Sequence, residues 1–275
     1  ILMIDRADIL HMQNWEHLIH VMEHVNAVPS DPHGCDFSRV QSVYLDGVSR
    51  KIRQTLTLSQ FEFPELNALL GNSELVDNCL GRWRFSQETS SAIIKKAKKW
   101  INPQFFRVHA GSVTSQSEDR LTYFTTEILP KYTKLDHICI FVSSYFDFCQ
   151  LKEWFHSSEL YSFACLSEYE EGGAITGARS KFFNGHAKFL LVTERFHFYR
   201  RLKLRGIKHL IWYSLPDHPE YFKELAEFVG DIHKRSEEAS DTSRVPKSDS
   251  PVLYTQFDVL KLERIVGSEM IDKLF

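Results

Sequence analysis

Residues 137–142 have the sequence HICIFV, and two similar apolar runs follow it, FLLV at 189–192 and HLIW at 209–212. Segments with helical spacing of apolar residues separate these runs. Strands that are apolar on both sides, and that are joined by helices, are typical of a parallel sheet covered on both faces. The sequence therefore predicts an α/β fold built on parallel sheets.

The same alternation extends along almost the whole chain. The predicted strands are 1–4, 54–58, 105–108, 137–142, 162–166, 189–192 and 209–212. The predicted helices are 11–25, a helix starting at Pro64, 91–100, 122–132, 146–155, 175–183, 196–202 and 220–233.

The domain organisation follows from one break in this pattern. Residues 236–250 (SEEASDTSRVPKSDS) are almost devoid of apolar side chains, which predicts a flexible linker. We expect residues 1–111 to be the later half of a first domain, 112–235 a second domain, and 251–275 a tail that packs back. Since the chain begins at Ile1 within an apolar strand, we also expect it to be a piece of a longer protein.

The composition is that of a globular protein. The 275 residues are 43% hydrophobic and 25% charged, with a net charge of −3, so the overall charge does not predict nucleic-acid or membrane binding. The five cysteines are scattered without a C-x-x-C pair, which favours reduced thiols in the nucleus or cytosol. No apolar run reaches the length of a membrane span, and no membrane partner is expected.

Residues 1–8 (ILMIDRAD) end an apolar strand with Asp5, Arg6, Ala7 and Asp8. Two carboxylates at the end of a buried strand suit a Mg²⁺-phosphate site, which needs carboxylates as well as phosphate oxygens. In ATP-driven motors a Glu stands between the first Asp and the Ala of this motif, but here the position is Arg6. We favour the alternative that Asp5 and Asp8 cap the following helix, and we predict no metal and no cofactor.

Several segments, in order, resemble a DEAD-box RNA helicase. Asp5–Asp8 resembles its Walker B motif, and 53–59 resembles the strand before its Ser-Ala-Thr motif, although Gln60 and Phe61 follow Ser59. Residues 183–193 resemble its F-x-x-G and LVxT stretch, and 209–216 the strand that ends in Asp-Leu-Pro. The resemblance implies two RecA-like domains, with the first only partly present in this chain.

This resemblance also places carboxylates where a helicase has arginines. In that register, the two arginines that contact the γ-phosphate correspond to Glu224 and Glu227. An arginine at this place stabilises charge in phosphoryl transfer, whereas a carboxylate repels phosphate. Carboxylates at the two arginine positions, Arg6, and the altered residues after Ser59 all point the same way. They predict a helicase-like fold without ATPase activity, so the protein is not expected to be an enzyme.

The chain resembles the digestive organ expansion factor family, also called the U3 small nucleolar RNA-associated protein 25 family. The resemblance rests on the degenerate motifs and on three stretches, FEFPEL (61–66), SSYFDF (143–148) and VTERFHFYRR (192–201). The resemblance covers nearly the whole chain. It implies a nuclear, nucleolar factor of the small-subunit processome that serves pre-rRNA processing and 18S rRNA maturation. The implied partners are pre-ribosomal RNA, the U3 small nucleolar ribonucleoprotein and other processome proteins.

The strongest binding signal lies between Arg179 and Lys208, where nine basic residues stand against one acid and aromatic residues are interleaved. Clustered cations bind phosphates, and exposed aromatics stack on unpaired bases. The predicted RNA contacts are Arg179, Arg195, Arg200, Arg201 and Arg205. The alternative is that the aromatics belong to the core and the cations form a solvated face, or meet an acidic protein.

The sequence has two further clusters of side chains, one of lysines and one of histidines, and it allows two alternative functions. Lys95, Lys96, Lys98 and Lys99 form a basic helix face that is usually just solvated. His17, His20 and His24 share a helix face, but no further ligand completes a zinc pattern. The alternatives to the non-catalytic factor are an active RNA-dependent ATPase that uses displaced residues, and a scaffold that binds only proteins.

Overall fold

The computed structural model of the protein describes residues 1–25, 27–28, 30–31, 33–77, 81, 92–239 and 247–274, with the backbone alone for 231–239. The chain divides into two compact units, residues 1–87 and 88–275. Strands pair in parallel in both units, which confirms the predicted α/β class with parallel sheets.

In the first unit, β1 (Leu2–Ile4) pairs with β2 (Thr55–Thr57), with Met3 opposite Leu56. The helices are α1 (Ala7–Val25), α2 (Ser42–Leu45), α3 (Ser49–Ile52) and α4 (Pro64–Gly71), with a 3₁₀ turn at Phe37–Arg39. Pro64 begins α4 as predicted, since its missing N–H costs nothing at the first helical position. The core includes Ile4, Ala7, Met22, Phe61, Phe63, Leu66, Leu69 and Val76.

Helix α1 is interrupted at Asn14, whose backbone is extended (φ −162°, ψ 102°). The Asn14 side-chain oxygen accepts a hydrogen bond from the Glu16 amide at 3.1 Å. Asparagine competes with the helix for backbone N–H groups in this way. The helix predicted at 11–25 begins earlier than predicted, at Ala7, and has a kink at Asn14.

The second unit contains one six-stranded sheet in the described part of the chain. Its strands are β3 (Ile101–Arg107), β4 (Ile138–Val142), β5 (Phe163–Leu166), β6 (Phe189–Thr193), β7 (His209–Trp212) and β8 (Ser248–Tyr254). The strand order is β3-β8-β7-β4-β6-β5, and each pairing is parallel. Strands β4 and β6 are buried along their whole length, as their apolar sequences predict.

Helices cover both faces of this sheet. They are α5 (Ala92–Ala97), α6 (Gln116–Tyr123), α7 (Leu129–Tyr132), α8 (Tyr145–Ser158), α9 (Gly172–Phe183), α10 (Glu194–Arg200), α11 (Pro219–Ala239), α12 (Val259–Val266) and α13 (Ser268–Ile271), with a π-helical turn at Phe124–Ile128. Residues of α5 and of α9 to α12 pack with Cys139 and Trp212 on one face. Residues of α6 to α8 pack with Ile140 and Ile211 on the other.

The predicted domain boundaries differ from the structure in two places. Strand β3 pairs with β8 along seven residues, so residues 88–111 belong to the second unit rather than to the first. The predicted linker 236–250 is partly regular structure, because α11 extends to Ala239 and β8 begins at Ser248. Ser250 is fully buried and its hydroxyl donates to the Leu210 carbonyl at 2.6 Å, which accommodates a polar residue inside the sheet.

The predicted tail, residues 251–275, contributes to the sheet through β8 and to the helical layer on one face of the sheet through α12. Val252, Leu253 and Tyr254 are buried in β8, and Leu262, Ile265 and Val266 of α12 are buried in the core. Residues 240–246 of the predicted linker lie outside the described residues. Within the described ranges, none of the helices combines the length and the apolar character that a membrane crossing requires.

Candidate nucleic-acid interface

The motif residues of the first unit meet at the carboxyl ends of β1 and β2. The Asp8 side chain is buried in the first turn of α1, and its Oδ1 accepts a hydrogen bond from the Gln60 amide at 3.3 Å. Ser59, next to Gln60, donates its hydroxyl to the Phe61 carbonyl at 2.6 Å. The two segments that resemble helicase motifs are therefore adjacent, because parallel neighbours end at the same edge.

Arg6 occupies the turn between β1 and α1 in the left-handed region, with φ of 53°. Its Nη2 lies 3.6 Å from the Asp8 Oδ2, while half of the Arg6 side chain is exposed. Asp5 is exposed. The guanidinium at this position partly neutralises Asp8, which weakens the case for a cation between the two carboxylates.

The second sheet has a topological switch between β4 and β7. The chain leaves β4 toward β5 on one side and leaves β7 toward β8 on the other, and ligands of open parallel sheets bind outside the carboxyl ends of such a strand pair. Here the Ser143 amide donates to the Ser214 Oγ at 2.8 Å, and the two hydroxyl oxygens are 2.9 Å apart. The polar groups at the switch therefore bond to each other.

A buried guanidinium ties helices to the same edge. Arg120 of α6 is 4% exposed, and its nitrogens lie 2.6 Å from the Asp147 Oδ2 and 3.2 Å from the Asp258 Oδ2. Ser117 donates to the other Asp147 oxygen at 2.5 Å. The Thr255 amide donates to Asp258 at 2.9 Å. This network joins α6, α8 and the segment between β8 and α12.

A second buried acid follows β6. Glu194 accepts hydrogen bonds from the Asp217 and His218 amides at 2.8 and 2.9 Å, and its Oε1 lies 3.0 Å from the His218 Nδ1. Burial, and then the nearby charge of Asp217, raise the pKa of Glu194. The Glu194–His218 pair was not predicted from the sequence, because the two residues are 24 positions apart and no fixed spacing identifies them.

Glu224 and Glu227, the residues at the predicted arginine positions, have cationic or imidazole neighbours in the second unit. Glu224 Oε2 lies 2.9 Å from the His197 Nε2, and its Oε1 accepts from the Arg201 Nη2 at 2.9 Å. Burial lowers the pKa of His197, which favours the neutral imidazole. Glu227 is half exposed and lies 3.8 Å from the Lys223 Nζ. Glu224 therefore holds α10 against α11.

The structure divides the predicted arginine cluster into three groups. Arg195 lies 3.5 Å from the nearly buried Glu168 carboxylate, and Arg201 pairs with Glu224 while its guanidinium stands 5.2 Å from the Tyr221 ring centre. Arg200 is exposed at the end of α10. Arg179 and Arg205 line one groove. Two of the five arginines are thus paired with carboxylates, and two others line a common groove.

The groove lies between α9 and the segment that leads into β7. It has a volume of about 320 Å³ and is lined by Thr176, Arg179, Ser180, Phe182, Phe183, Asn184, Leu190, Leu204 and Arg205. Phe182 is buried, as the core interpretation predicts for it, whereas Phe183 is 52% exposed. An exposed aromatic ring and two arginines in one groove are groups that can bind unpaired nucleotides.

The two remaining clusters are exposed. Lys95, Lys96, Lys98 and Lys99 face solvent, while Ile94 and Ala97 of the same helix are buried, as in an ordinary amphipathic helix. Ligand atoms of His20, Glu23 and His24 lie within 4.8 Å of one another on α1, and all three residues are exposed. The predicted His17 is not in this group.

The fold and the site define an α/β protein with parallel sheets and with polar side chains that meet at the carboxyl ends of its strands. The model of the Utp25 C-terminal domain matches residues 93–275, and that of the UTP25 NTP hydrolase-like domain matches residues 1–83. These matches agree with the division of the structure after residue 87. The chain belongs to the Utp25 family, which confirms the resemblance predicted from the sequence.

Relatives in distant organisms give the same result. The U3 small nucleolar RNA-associated protein 25 of Sclerotinia sclerotiorum is 38% identical over 98% of this chain and 37% of its own length. The homolog of Xenopus tropicalis is 36% identical over 98% of this chain and 34% of its own length. The chain thus spans about a third of the length of the curated relatives it matches.

Solved structures show weaker likeness. A chain in the crystal structure of the E. coli DEAD-box protein SrmB bound to regulator of ribonuclease activity A matches 60% of this chain and 84% of its own, with 14% identity and a TM-score of 0.39.

Proposed function

We propose that the protein is a non-catalytic assembly factor of the small-subunit processome that binds pre-ribosomal RNA. The names of the relatives, which associate them with the U3 small nucleolar RNA, support the processome part of this proposal. The observation that carries the RNA part is the groove that Arg179 and Arg205 line together with the exposed Phe183.

The proposed setting is the nucleolus, where the protein would act in pre-rRNA processing and 18S rRNA maturation. Its proposed partners are pre-ribosomal RNA, the U3 small nucleolar ribonucleoprotein and other processome proteins. Neither a cofactor nor a metal is part of the proposal.

The absence of catalysis is proposed on electrostatic grounds. Arg6 stands where a motor has the Glu that orients the attacking water, and it lies beside Asp8. Glu224, at a predicted arginine position, is held by His197 and Arg201. A helicase-like chain with these residues retains the scaffold of two RecA-like domains but lacks groups that stabilise charge in phosphoryl transfer.

The full-length protein is expected to release no phosphate from ATP above the buffer background, with or without RNA. The measurement is a phosphate-release assay on the purified protein, with the Asp5→Asn variant as a control because Asp5 is exposed and its replacement leaves the core intact. Hydrolysis that RNA stimulates and that Asp5→Asn abolishes would show that the active-ATPase alternative is correct.

Neutralising three of the predicted RNA contacts, the exposed Arg200 and Arg205 and the partly buried Arg179, is expected to weaken binding of single-stranded RNA and to flatten its salt dependence. In the triple variant Arg179→Gln, Arg200→Gln and Arg205→Gln, the slope of log K against log salt is expected to become shallower by about 0.7 for each phosphate that loses its arginine contact. Fluorescence anisotropy titrations at several potassium chloride concentrations give this slope.

The matched control removes three exposed charges elsewhere, through Arg39→Gln, Lys131→Gln and Lys273→Gln. This control is expected to keep both the affinity and the slope. An equal loss in the two triple variants would mean that net charge alone, rather than this face, governs RNA binding. Unchanged affinity in the first variant, together with crosslinking to proteins only, would favour the protein scaffold.

A further inference from the structure

We propose that the groove between α9 and residues 201–208 is a site for one unpaired nucleotide of RNA, with the base stacked on Phe183 and the phosphate held by Arg179 and Arg205. This inference rests on the proposed RNA binding and adds to it a defined site and a ligand class. It also places this contact at an unexpected edge of the sheet.

The groove lies at the amino ends of the strands. Phe183 ends α9 shortly before β6 begins at Phe189, and residues 201–208 directly precede β7 at His209. Ligands of open parallel sheets normally bind at the opposite edge, outside the carboxyl ends. In this unit that opposite edge carries the Ser143–Ser214 pair and the Arg120 network, and these two groups of polar side chains bond within the protein.

The position of Phe183 is fixed by its surroundings. Gly206 has φ of 92°, and a Cβ at this position would lie 3.3 Å from the Phe183 Cδ2. The Phe183 carbonyl oxygen lies 3.4 Å from the His137 Nε2. Glycine thus permits the loop to approach the ring closely, while Phe183 as a residue remains 52% exposed.

The charge of the groove favours an anion. The Arg179 Nη2 donates to the Lys203 carbonyl at 3.2 Å, which positions the guanidinium and leaves its other N–H groups for a ligand. Arg205 is exposed on the same groove. None of the described residues that line the groove is an Asp or a Glu. Two guanidiniums without a facing carboxylate suit a phosphate.

The remaining lining residues suit a base rather than a second phosphate. Thr176, Ser180 and Asn184 offer hydroxyl and amide groups that form hydrogen bonds with base edges, and Leu190 and Leu204 supply an apolar floor. The volume of about 320 Å³ is at the lower end of the range for small-ligand sites, roughly 300–1,000 Å³. It suits a single nucleotide rather than a duplex.

The test separates stacking from charge. Phe183→Leu keeps an apolar side chain but removes the aromatic face, and it is expected to weaken binding of an unstructured RNA oligonucleotide roughly tenfold, since stacking on one aromatic ring has about this effect. The salt slope should not change, because no phosphate contact is lost. Phe183→Trp should retain wild-type affinity. Anisotropy titrations of the full-length protein give all of these values.

The control variant is Tyr199→Leu, which removes another exposed aromatic ring, on α10 and outside the lining of the groove. It should bind the oligonucleotide like the wild type, and a duplex of the same length should bind equally to all variants. Circular dichroism confirms that each variant is folded.

Each outcome decides between the proposals. If Phe183→Leu binds the oligonucleotide as tightly as the wild type while the triple arginine variant binds more weakly, the nucleotide site is wrong but RNA binding stands. If no variant changes the affinity, or if the wild type does not bind RNA, both proposals fail. Binding of a phosphorylated peptide that Phe183→Leu does not affect, without competition by RNA, would assign the arginines to a protein partner and overturn the site.

Discussion

Replacement of Arg120 by methionine is expected to destabilise the second unit by about 3–5 kcal/mol, because breaking a buried ion pair leaves uncompensated charge. Arg120 is 4% exposed, and its guanidinium bonds to both Asp147 and Asp258. Methionine fills much of the same space but leaves the two buried carboxylates without their cation. Hydrogen exchange of the β4 amides, which are in the core of this unit, measures the loss as faster exchange.

The matched control is Arg201→Met. The Arg201–Glu224 pair has an N–O distance of 2.9 Å, but 52% of the Arg201 side chain is exposed. An exposed ion pair contributes only about 0–1 kcal/mol, so the exchange of β4 should hardly change. Arg120→Lys should fall between the two, since it keeps the charge but loses the fork that contacts two acids. Equal effects of Arg120→Met and Arg201→Met would show that burial does not set the strength of these pairs.

Gly230→Ala is expected to destabilise the same unit by about 1–3 kcal/mol through overpacking. A Cβ at Gly230 of α11 would overlap the ring of Trp100, with the Cγ of that ring at 3.0 Å. The overlap outweighs the gain of about 1 kcal/mol that alanine has over glycine within a helix. Thermal unfolding followed by circular dichroism, with the hydrogen exchange of α11, measures the change.

Gly177→Ala in α9 tests the opposite sign. Apart from its chain neighbours and the backbone of α9 itself, no atom lies within 4 Å of a Cβ at this position. Alanine should therefore stabilise the unit by about 0.4–1 kcal/mol, because the unfolded chain loses freedom. If both alanine variants raised the melting temperature, the close packing of α11 on Trp100 would be refuted.

The sequence predicted the central strands well because they are buried on both faces. β4 and β6 have nearly continuous apolar sequences, and their predicted bounds differ from the observed ones by a residue at one end. β8 was missed because it begins with the polar residues Ser248, Asp249 and Ser250, which resemble a linker in composition. The Ser250 hydroxyl is satisfied by the Leu210 carbonyl, forty residues away in the chain. Such a partner is not visible in a local pattern.

The candidate site was predicted only in part, because contacts between residues that are distant in the chain are not visible in a local pattern. The two segments that contain Asp8 and Gln60 were recognised from the sequence, and their adjacency follows from parallel strands that end at one edge. The basic cluster was recognised, but its division was not. Arg195 forms an ion pair with Glu168, and Arg201 forms one with Glu224. The tertiary fold brings these partners together, so a local sequence pattern does not show them. Phe183 differs from its buried neighbour Phe182 only by the side of α9 on which it lies.

The position of β8 has a consequence for biosynthesis. This strand is the last in the described chain, yet it lies between β3 and β7 in the sheet. During translation, β3 emerges from the ribosome well before the strand that supplies its hydrogen bonds. Until β8 arrives, two strand edges carry unpaired backbone groups, and such edges are prone to aggregation. The nascent second unit is therefore expected to be a client of molecular chaperones during the interval between the synthesis of β3 and that of β8.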